Sequence, residues 1–237
     1  MAVTAQPTDR LHTYVVPSSL GGISGFVDAT MFLALFSVFT NFQSGNSVLL
    51  GVSVGQGAWR DALTWLSPIV AFLIGVTFWT ALMMEPDRRL RPHAFRTIMA
   101  AEAALLLVFL VLTQTVWPIP GITPLSPAFL VLILCIGVAA GGQTIAVDEA
   151  SGVKLRTTFI SGVLTSLAAA VVLAVRGSAP ARKEARIVGS LWACYVLGAA
   201  LGAFCYLHFG SWGVAVPILA LLPLTLVRRE YARVRRP

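Results

Sequence analysis

The stretch TNFQSGNSVLLG, residues 40–51, interrupts a long apolar run with polar residues and glycine. A second stretch, TTFISGVLTSLA, residues 157–168, repeats the skeleton Thr-x-Phe-x-Ser-Gly 117 positions later. Non-helical backbone is tolerated at membrane depth only where protein buries it or water reaches it. A polar interruption that occurs twice in an apolar chain therefore predicts two broken or re-entrant helices.

Composition places the chain in a membrane. Of its 237 residues, 57% are hydrophobic and 11% are charged, whereas soluble domains carry about 25% charged residues. The net charge of +7 comes mostly from Arg in short loops, which fits anionic lipid headgroups and not nucleic acid. The three cysteines lie in apolar runs without CxxC or His-rich spacing, so we expect neither a metal site nor a cofactor.

Six segments are long enough to cross the bilayer, which takes about 20 mostly apolar residues. They are residues 17–39, 64–84, 98–117, 126–147, 188–208 and 209–227. The two interrupted stretches supply two further segments. Residues 46–56 are too few to cross, whereas residues 157–175 are long enough by count alone.

Basic residues decide between the two topologies, because cytoplasmic loops collect Lys and Arg. If both interrupted stretches return to the side from which they came, all of the 17 basic residues except Arg60 lie inside, with both termini. If all eight segments cross, Arg88, Arg89, Arg91 and Arg96 lie outside. We therefore predict an all-α polytopic membrane protein with six transmembrane helices, two re-entrant or broken helices and cytoplasmic termini.

Both halves of the chain then have the order span, re-entrant segment, span, span. The halves are residues 17–117 and 126–227, between a tail of residues 1–16 and a basic tail of residues 228–237. Three crossings turn the second half upside down, which predicts an inverted repeat with a binding site where the halves meet. The halves align with Gly25 on Gly141, Asp28 on Thr144, Thr40 on Thr157, Phe42 on Phe159, Ser44 on Ser161, and Gly45 on Gly162.

The repeated motif predicts a site for a small solute. Ser and Asn cap helix N-termini, Gly permits close approach, and two half-helices would bring free N–H groups and positive dipole ends together. Such a site suits a small anion or a neutral solute rich in acceptors. The candidate solute-binding residues are Thr40, Ser44, Gly45, Asn46, Gln143, Thr157, Ser161 and Gly162. The alternative is that both interruptions are kinks packed against neighbouring helices.

Two acidic residues lie in predicted spans. Asp28 is at the middle of the first span, where a charged side chain costs about 2.5–3.5 kcal/mol. We interpret it as a proton or cation carrier, with a structural carboxylate bonded to neighbouring groups as the alternative. Glu102 lies about one turn into the third span, so we expect it to reach the headgroups and to be structural. The small-residue stretch GAALG, residues 198–202, suits helix packing within the chain or in a homo-oligomer.

Four segments resemble the YoaK-type bacterial membrane proteins, a family of unknown function. They are GFVDA at 25–29, FTNFQSGN at 39–46, GGQTI at 141–145 and RTTFISGVLT at 156–165. The family pattern has Thr where this chain has Ser44 and Ser161, and Asn where it has Thr144. The hydroxyl is kept in the first two positions, but the carboxamide is lost in the third. The resemblance implies a polytopic protein of the bacterial inner membrane and implies no substrate.

The predicted function is transport of a small solute, as a transporter or channel. The rival hypothesis is a scaffold or accessory subunit whose polar motifs only pack helices. The sequence contains no Walker loop, HExxH motif or nucleophile elbow, so we do not expect an enzyme.

Overall fold

The computed structural model describes residues 14–85, 91, 93–150 and 160–227, without the side chains of residues 147–150, 160 and 161. Its secondary structure in those ranges is helical. Short 3₁₀ turns at Ile119–Gly121 and Gly210–Val214 accompany the α-helices. The α-helices are α1 Val16–Ala34, α2 Gln43–Gly55, α3 Trp59–Met83, α4 Ala94–Thr115, α5 Pro127–Ala150, α6 Ile160–Val175, α7 Ala179–Phe209 and α8 Ala215–Thr225.

Two long helix pairs form the body of the molecule: α1 lies along α7, and α3 lies along α5. The short helices pack on these pairs, α2 against α3 and α6 against α7, while α4 contacts both α5 and α8. The largest fully buried side chains include Phe95 and Phe109 of α4 and Phe129 of α5. The apolar core therefore includes α4 and α5, together with buried residues of α1 such as Leu20 and Met31.

Glycine brings the backbones of both pairs close together. In the α1–α7 pair, a Cβ on Gly25 would collide with the Tyr195 carbonyl group, and one on Gly202 would lie within 3 Å of Phe26 backbone atoms. In the α3–α5 pair, a Cβ on Gly75 would lie 2.7 Å from the Gly137 carbonyl oxygen. The GAALG stretch thus packs within the chain, where small residues permit close helix approach.

The prediction of a multi-pass membrane protein agrees with the apolar helices. Four helical stretches of the described part are long and apolar enough to cross: Trp59–Met83, Ala94–Thr115, Pro127–Ala146 and Ala179–Thr225. The last joins α7 to α8, which has only 11 residues. Six crossings are not confirmed by these lengths and stay a prediction.

Helix α2 has the length expected of a partial crossing. With 13 residues, it spans about 20 Å, against a hydrocarbon core of about 30 Å. It begins at Gln43, after the non-helical residues 35–42, so an upright crossing by α2 alone is excluded by its length. The described part of α6, 16 residues from Ile160, spans about 24 Å.

Helix α1 carries a buried aspartate, and the position of the helix explains why this is tolerated. Of its 19 residues, 12 are buried, whereas α3 buries 7 of 25 and exposes apolar side chains such as Leu63, Ile74 and Phe78. Lipid contact requires the apolar surface of α3. The serines and the aspartate of α1 face protein, because α7 covers one side of the helix and α5 contacts it from another.

Candidate functional site

The break after α1 begins earlier than the polar motif. Residues 35–42 connect α1 to α2, and Phe36 and Ser37 have φ angles of 53° and 61°. This left-handed region costs about 1–2 kcal/mol for each residue that is not glycine. Such conformations persist only where the surroundings hold them, and they cluster at ligand sites and switches. The predicted first span, residues 17–39, therefore ends five residues early, at Ala34.

Asp28 holds this linker. Its side chain is 2% exposed, and its Oδ1 accepts hydrogen bonds from the Thr40 N–H at 2.8 Å, the Thr40 hydroxyl at 2.9 Å and the Asn41 N–H at 2.7 Å. Its Oδ2 accepts from the Tyr195 hydroxyl of α7 at 2.8 Å. This arrangement is what the structural alternative for Asp28 predicts. A carrier role for Asp28 stays a prediction.

The predicted cap of the first half-helix is wrong. Phe42 occupies the N-cap position of α2, and no side chain caps that helix. The amide of Asn46 instead reaches back to the linker, where its Oδ1 accepts from the Phe39 N–H at 3.0 Å and its Nδ2 donates to the Phe39 carbonyl at 2.7 Å. Gln43 donates to the Thr40 carbonyl at 2.6 Å. Of the side chains expected as caps, Asn46 thus pairs with backbone groups of the non-helical linker.

Ser44 and Gly45 occupy the first turn of α2. A Cβ on Gly45 would lie 2.8 Å from the Phe42 ring and 2.9 Å from the Phe39 ring. Glycine is therefore needed here so that the two rings, which pack edge to face at 5.3 Å, can cover the start of the helix. Ser44 is half-buried beside them.

In the second half of the chain, Gln143 is the candidate residue that reaches the first half. It is buried in α5, accepts from the Ser24 hydroxyl of α1 at 2.7 Å and donates to the Leu20 carbonyl at 3.4 Å. Thr157 lies outside the described residues, as does the side chain of Ser161. Gly162 lies exposed on α6. Helices α2 and α6 pack on different partners and share no extensive contact within the described ranges.

A small internal cavity lies between the two halves. It has a volume of about 10 Å³, which is about the room that one water molecule needs. Helix α1 and the linker line it from one side, α4 from a second and α5 from a third. The lining residues are Val27, Asn41, Glu102, Leu106, Ile136, Ala139, Ala140 and Gln143.

Glu102 lies in this cavity and not at the headgroups, so that prediction is wrong. Helix α4 begins at Ala94, four residues before the predicted span, which places Glu102 about two turns into the helix. Its side chain is 4% exposed, and its Oε2 is buried without a hydrogen-bond partner in the described part of the chain. Apolar residues of α5 cover it.

Sequence reasoning missed three residues of this region. Tyr195 lies 167 positions from Asp28, and no local pattern marks it. Asn41 belongs to the quoted motif, but its role depends on the linker fold. Glu102 was recognisable as an unusual residue, since a charge inside an apolar run is costly, but it was predicted to lie too close to the membrane surface.

The chemistry available here is that of hydrogen bonds and protons. The cavity joins one carboxyl group to the two carboxamides of Asn41 and Gln143. Within the described ranges, no three His, Cys, Asp or Glu side chains come close enough together to hold a metal ion. The arrangement can bind a proton or one small polar molecule.

The profile of the family described as "Protein of unknown function (DUF1275)" matches residues 17–227. The chain is also similar to the UPF0700 transmembrane protein YoaK of Bacillus subtilis (strain 168), with 29% identity over 144 residues, 61% of this chain and 60% of that protein. The aligned part thus spans about three fifths of the relative's length. No solved structure matches the chain. The YoaK-type resemblance of the four segments is confirmed, and the chain belongs to the DUF1275 family of transmembrane proteins.

Proposed function

We propose that this chain moves a small polar solute across the bacterial inner membrane, with both termini in the cytoplasm. One observation carries the proposal: the non-helical linker, residues 35–42, contains two residues in the left-handed region and contributes Asn41 to a cavity that both halves of the chain line. Broken helices with a site at the junction of two repeats are the plan of many secondary transporters. Backbone in such conformations clusters at ligand sites and switch regions.

The pattern of helix contacts supports an inverted repeat of six crossings and two partial helices. In such a repeat α1 corresponds to α5, α2 to α6, α3 to α7 and α4 to α8. Each contact should then have a counterpart, and α1–α7 matches α5–α3, while α2–α3 matches α6–α7. The spacing Gly21-x-x-x-Gly25 on α1 recurs as Gly137-x-x-x-Gly141 on α5, and each faces a close helix partner.

The solute would bind where the linker between α1 and α2 meets α5, beside the cavity that Asn41 and Gln143 line. Thr40, Ser44 and Asn46 supply hydroxyl and amide groups from the first half, and Gln143 supplies an amide from the second. These groups are neutral donors and acceptors, which suits a small anion or an uncharged polar solute. Thr157, Ser161 and Gly162 are left out of this site, because Gly162 lies exposed on α6 and α6 shares no extensive contact with α2 within the described ranges.

Transport by purified protein in liposomes is the direct test. A solute screen by thermal stabilisation selects candidates, and counterflow of the labelled solute then measures movement. Gln143→Met should reduce the flux, because it removes the amide from the junction. Thr144→Val is the matched control on the same helix, since the Thr144 hydroxyl bonds only to its own helix, at the Ala140 carbonyl. Equal loss in both variants would contradict the site.

Water access is tested by cysteine labelling in a variant that lacks Cys135, Cys194 and Cys205. A membrane-impermeant thiol reagent should modify Ser44→Cys even though Ser44 is half-buried, because we propose that water reaches this position. Val48→Cys, one turn later and 65% exposed, should stay unmodified because it faces lipid. The reverse pattern, with no flux of any solute, would favour the scaffold hypothesis.

A further inference from the structure

Glu102 differs from every other buried side chain that the structure describes. Its Oε2 is the buried side-chain oxygen without a hydrogen-bond partner among the described residues. Glu102 lines a cavity together with Asn41 and Gln143. A buried polar atom without a partner costs about 1–3 kcal/mol, so a residue kept in this state calls for an explanation.

We propose that Glu102 binds and releases the proton that is coupled to solute movement, an inference that rests on the transport function proposed above. An ionisable residue inside a membrane protein is by default a functional group. The proposal gives the coupling role to Glu102 and leaves Asp28 as the residue that positions the linker. It concerns a proton and no other ion, for the reasons that follow.

Burial without a partner favours the neutral form of this side chain. An ionised carboxylate in a low-dielectric interior costs several kcal/mol unless charges or hydrogen bonds compensate it. The protonated acid carries no net charge and needs fewer hydrogen bonds. In the conformation that the structure describes, the site therefore stabilises Glu102 with its proton bound.

No charged group comes to the cavity from the neighbouring elements that the structure describes. The charged residue of α1, Asp28, is bonded to Thr40, Asn41 and Tyr195. On α4, Arg96 donates to the Thr225 carbonyl at 2.7 Å, and α8 and the 3₁₀ turn before it contain no charged residue. The remaining titratable groups on these elements are His93 before α4, Cys135 of α5, and the pair Asp148 and Glu149 of α5, whose two side chains are outside the described part.

The size of the cavity separates a proton from a metal cation. Hard cations such as Ca²⁺ and Mg²⁺ take about six or more oxygen ligands. The lining provides three polar side chains, and the Gln143 amide already bonds to Ser24 and Leu20. A volume of about 10 Å³ admits about one water molecule, which is enough to relay a proton and too little to hydrate a cation.

The position of Glu102 couples its proton to movement of the halves. Val27 and Asn41 reach the cavity from the first half, while Ile136, Ala139 and Gln143 reach it from the second. Separation of α5 from α1 and the linker would admit water, which stabilises the ionised form and releases the proton. Closure would restore the dry site and favour proton uptake. The free energy of each step thus depends on the conformation of the chain.

Infrared difference spectroscopy of the full-length protein in liposomes tests the proton site without any solute. The carbonyl band of one protonated carboxylic acid should be present at neutral pH, disappear in alkaline buffer and be lost in Glu102→Gln. Asp28→Asn should keep the band. Asp61→Asn is a further control, because Asp61 is exposed at the start of α3. If Glu102→Gln is not recovered in folded form, Glu102→Asp should shift the band.

A band that persists in Glu102→Gln, or that Asp28→Asn removes, would overturn the proposal. A Glu102 band that does not titrate in any accessible buffer would also overturn it, because the residue would hold its proton permanently. Once a solute is known, Glu102→Gln should retain solute exchange and lose stimulation by a pH gradient. If the band behaves as expected and no solute moves, the proton site stands and the transport function fails.

Discussion

Asp28 and Glu102 are both almost fully buried, at 2% and 4% exposure, yet their surroundings are opposite. Asp28 accepts four hydrogen bonds from three residues. Glu102 has a buried oxygen without a partner in the described part of the chain, and it faces apolar side chains and two amides. Burial alone therefore does not reveal the role of a carboxylate in a membrane protein.

The comparison suggests a rule: the number of hydrogen bonds that a buried carboxylate accepts distinguishes a structural residue from the proton-binding residue that we propose. A carboxylate that accepts from two backbone N–H groups holds those groups in place, and its loss leaves them unpaired. A carboxyl group without partners contributes little to the fold, so a function must explain its presence. The following substitutions test this difference through the free energy of unfolding in detergent, from the largest expected effect to the smallest.

Asp28→Ala should be the most damaging substitution. It leaves the backbone N–H groups of Thr40 and Asn41 without an acceptor, and each buried unpaired group costs about 1–3 kcal/mol. We expect a loss of about 2–6 kcal/mol in SDS-titration unfolding. Asp61→Ala, at an exposed position, should cost far less. A similarly small loss for Asp28→Ala would show that the linker does not depend on it.

Tyr195→Phe should cost about 1.5–3 kcal/mol, the range for a hydrogen bond to a charged group. It removes the bond to Asp28 Oδ2 and leaves the linker bonds on Oδ1 intact. Thermal unfolding in detergent gives the measurement. Tyr206→Phe is the matched control on α7, since no hydrogen bond of its hydroxyl occurs in the described part. Equal effects of the two changes would contradict the role of Tyr195.

Thr40→Val should cost about 1 kcal/mol, because only the hydroxyl bond to Asp28 is lost and the backbone bond remains. The same unfolding assay resolves this difference when wild-type and variant are measured side by side. Thr144→Val, whose hydroxyl bonds to its own helix, should have a smaller effect. A loss of several kcal/mol for Thr40→Val would mean that the hydroxyl bond of Thr40, and not its backbone bond, is what holds the linker to Asp28.

Glu102→Gln should change the free energy of unfolding by less than about 1 kcal/mol, since no hydrogen bond of Oε2 is lost. The amide has the shape of the protonated acid that we propose for this site. Chemical unfolding in the same detergent checks the value. Destabilisation as large as that of Asp28→Ala would show that Glu102 has a structural role like that of Asp28, and would contradict the difference between the two carboxylates.

Some features could be predicted because they depend on residues close together in sequence. Hydropathy was sufficient to identify a membrane protein, and the motif at residues 40–46 was sufficient to locate a break between α1 and α2. The short length of α2 follows from the position of Gly55 and the glycine and tryptophan after it. The family was recognised from four short segments, and the profile match confirms it.

Other features were mistaken because local pattern says little about packing. The expected caps Ser44 and Asn46 do not cap α2. The Asn46 amide instead forms hydrogen bonds with the backbone N–H and carbonyl groups of Phe39 in the linker. The break starts after Ala34, and its residues in the left-handed region, Phe36 and Ser37, lie outside the polar motif. Glu102 was placed at the membrane edge because hydropathy gives the end of a helix only to within a turn.

The sequence by itself determined the membrane as the environment of this chain, the break between α1 and α2, and the family, because composition and short motifs act through local free energies of transfer and backbone preference. The tertiary structure alone decided which carboxylate is bonded and which is not. Tyr195, 167 positions away in sequence, donates a hydrogen bond to Asp28. Glu102 is covered by residues of α5, which lies in the second half of the chain. Hydrogen bonding and desolvation depend on what surrounds a group in space, and that is known only once distant helices have packed.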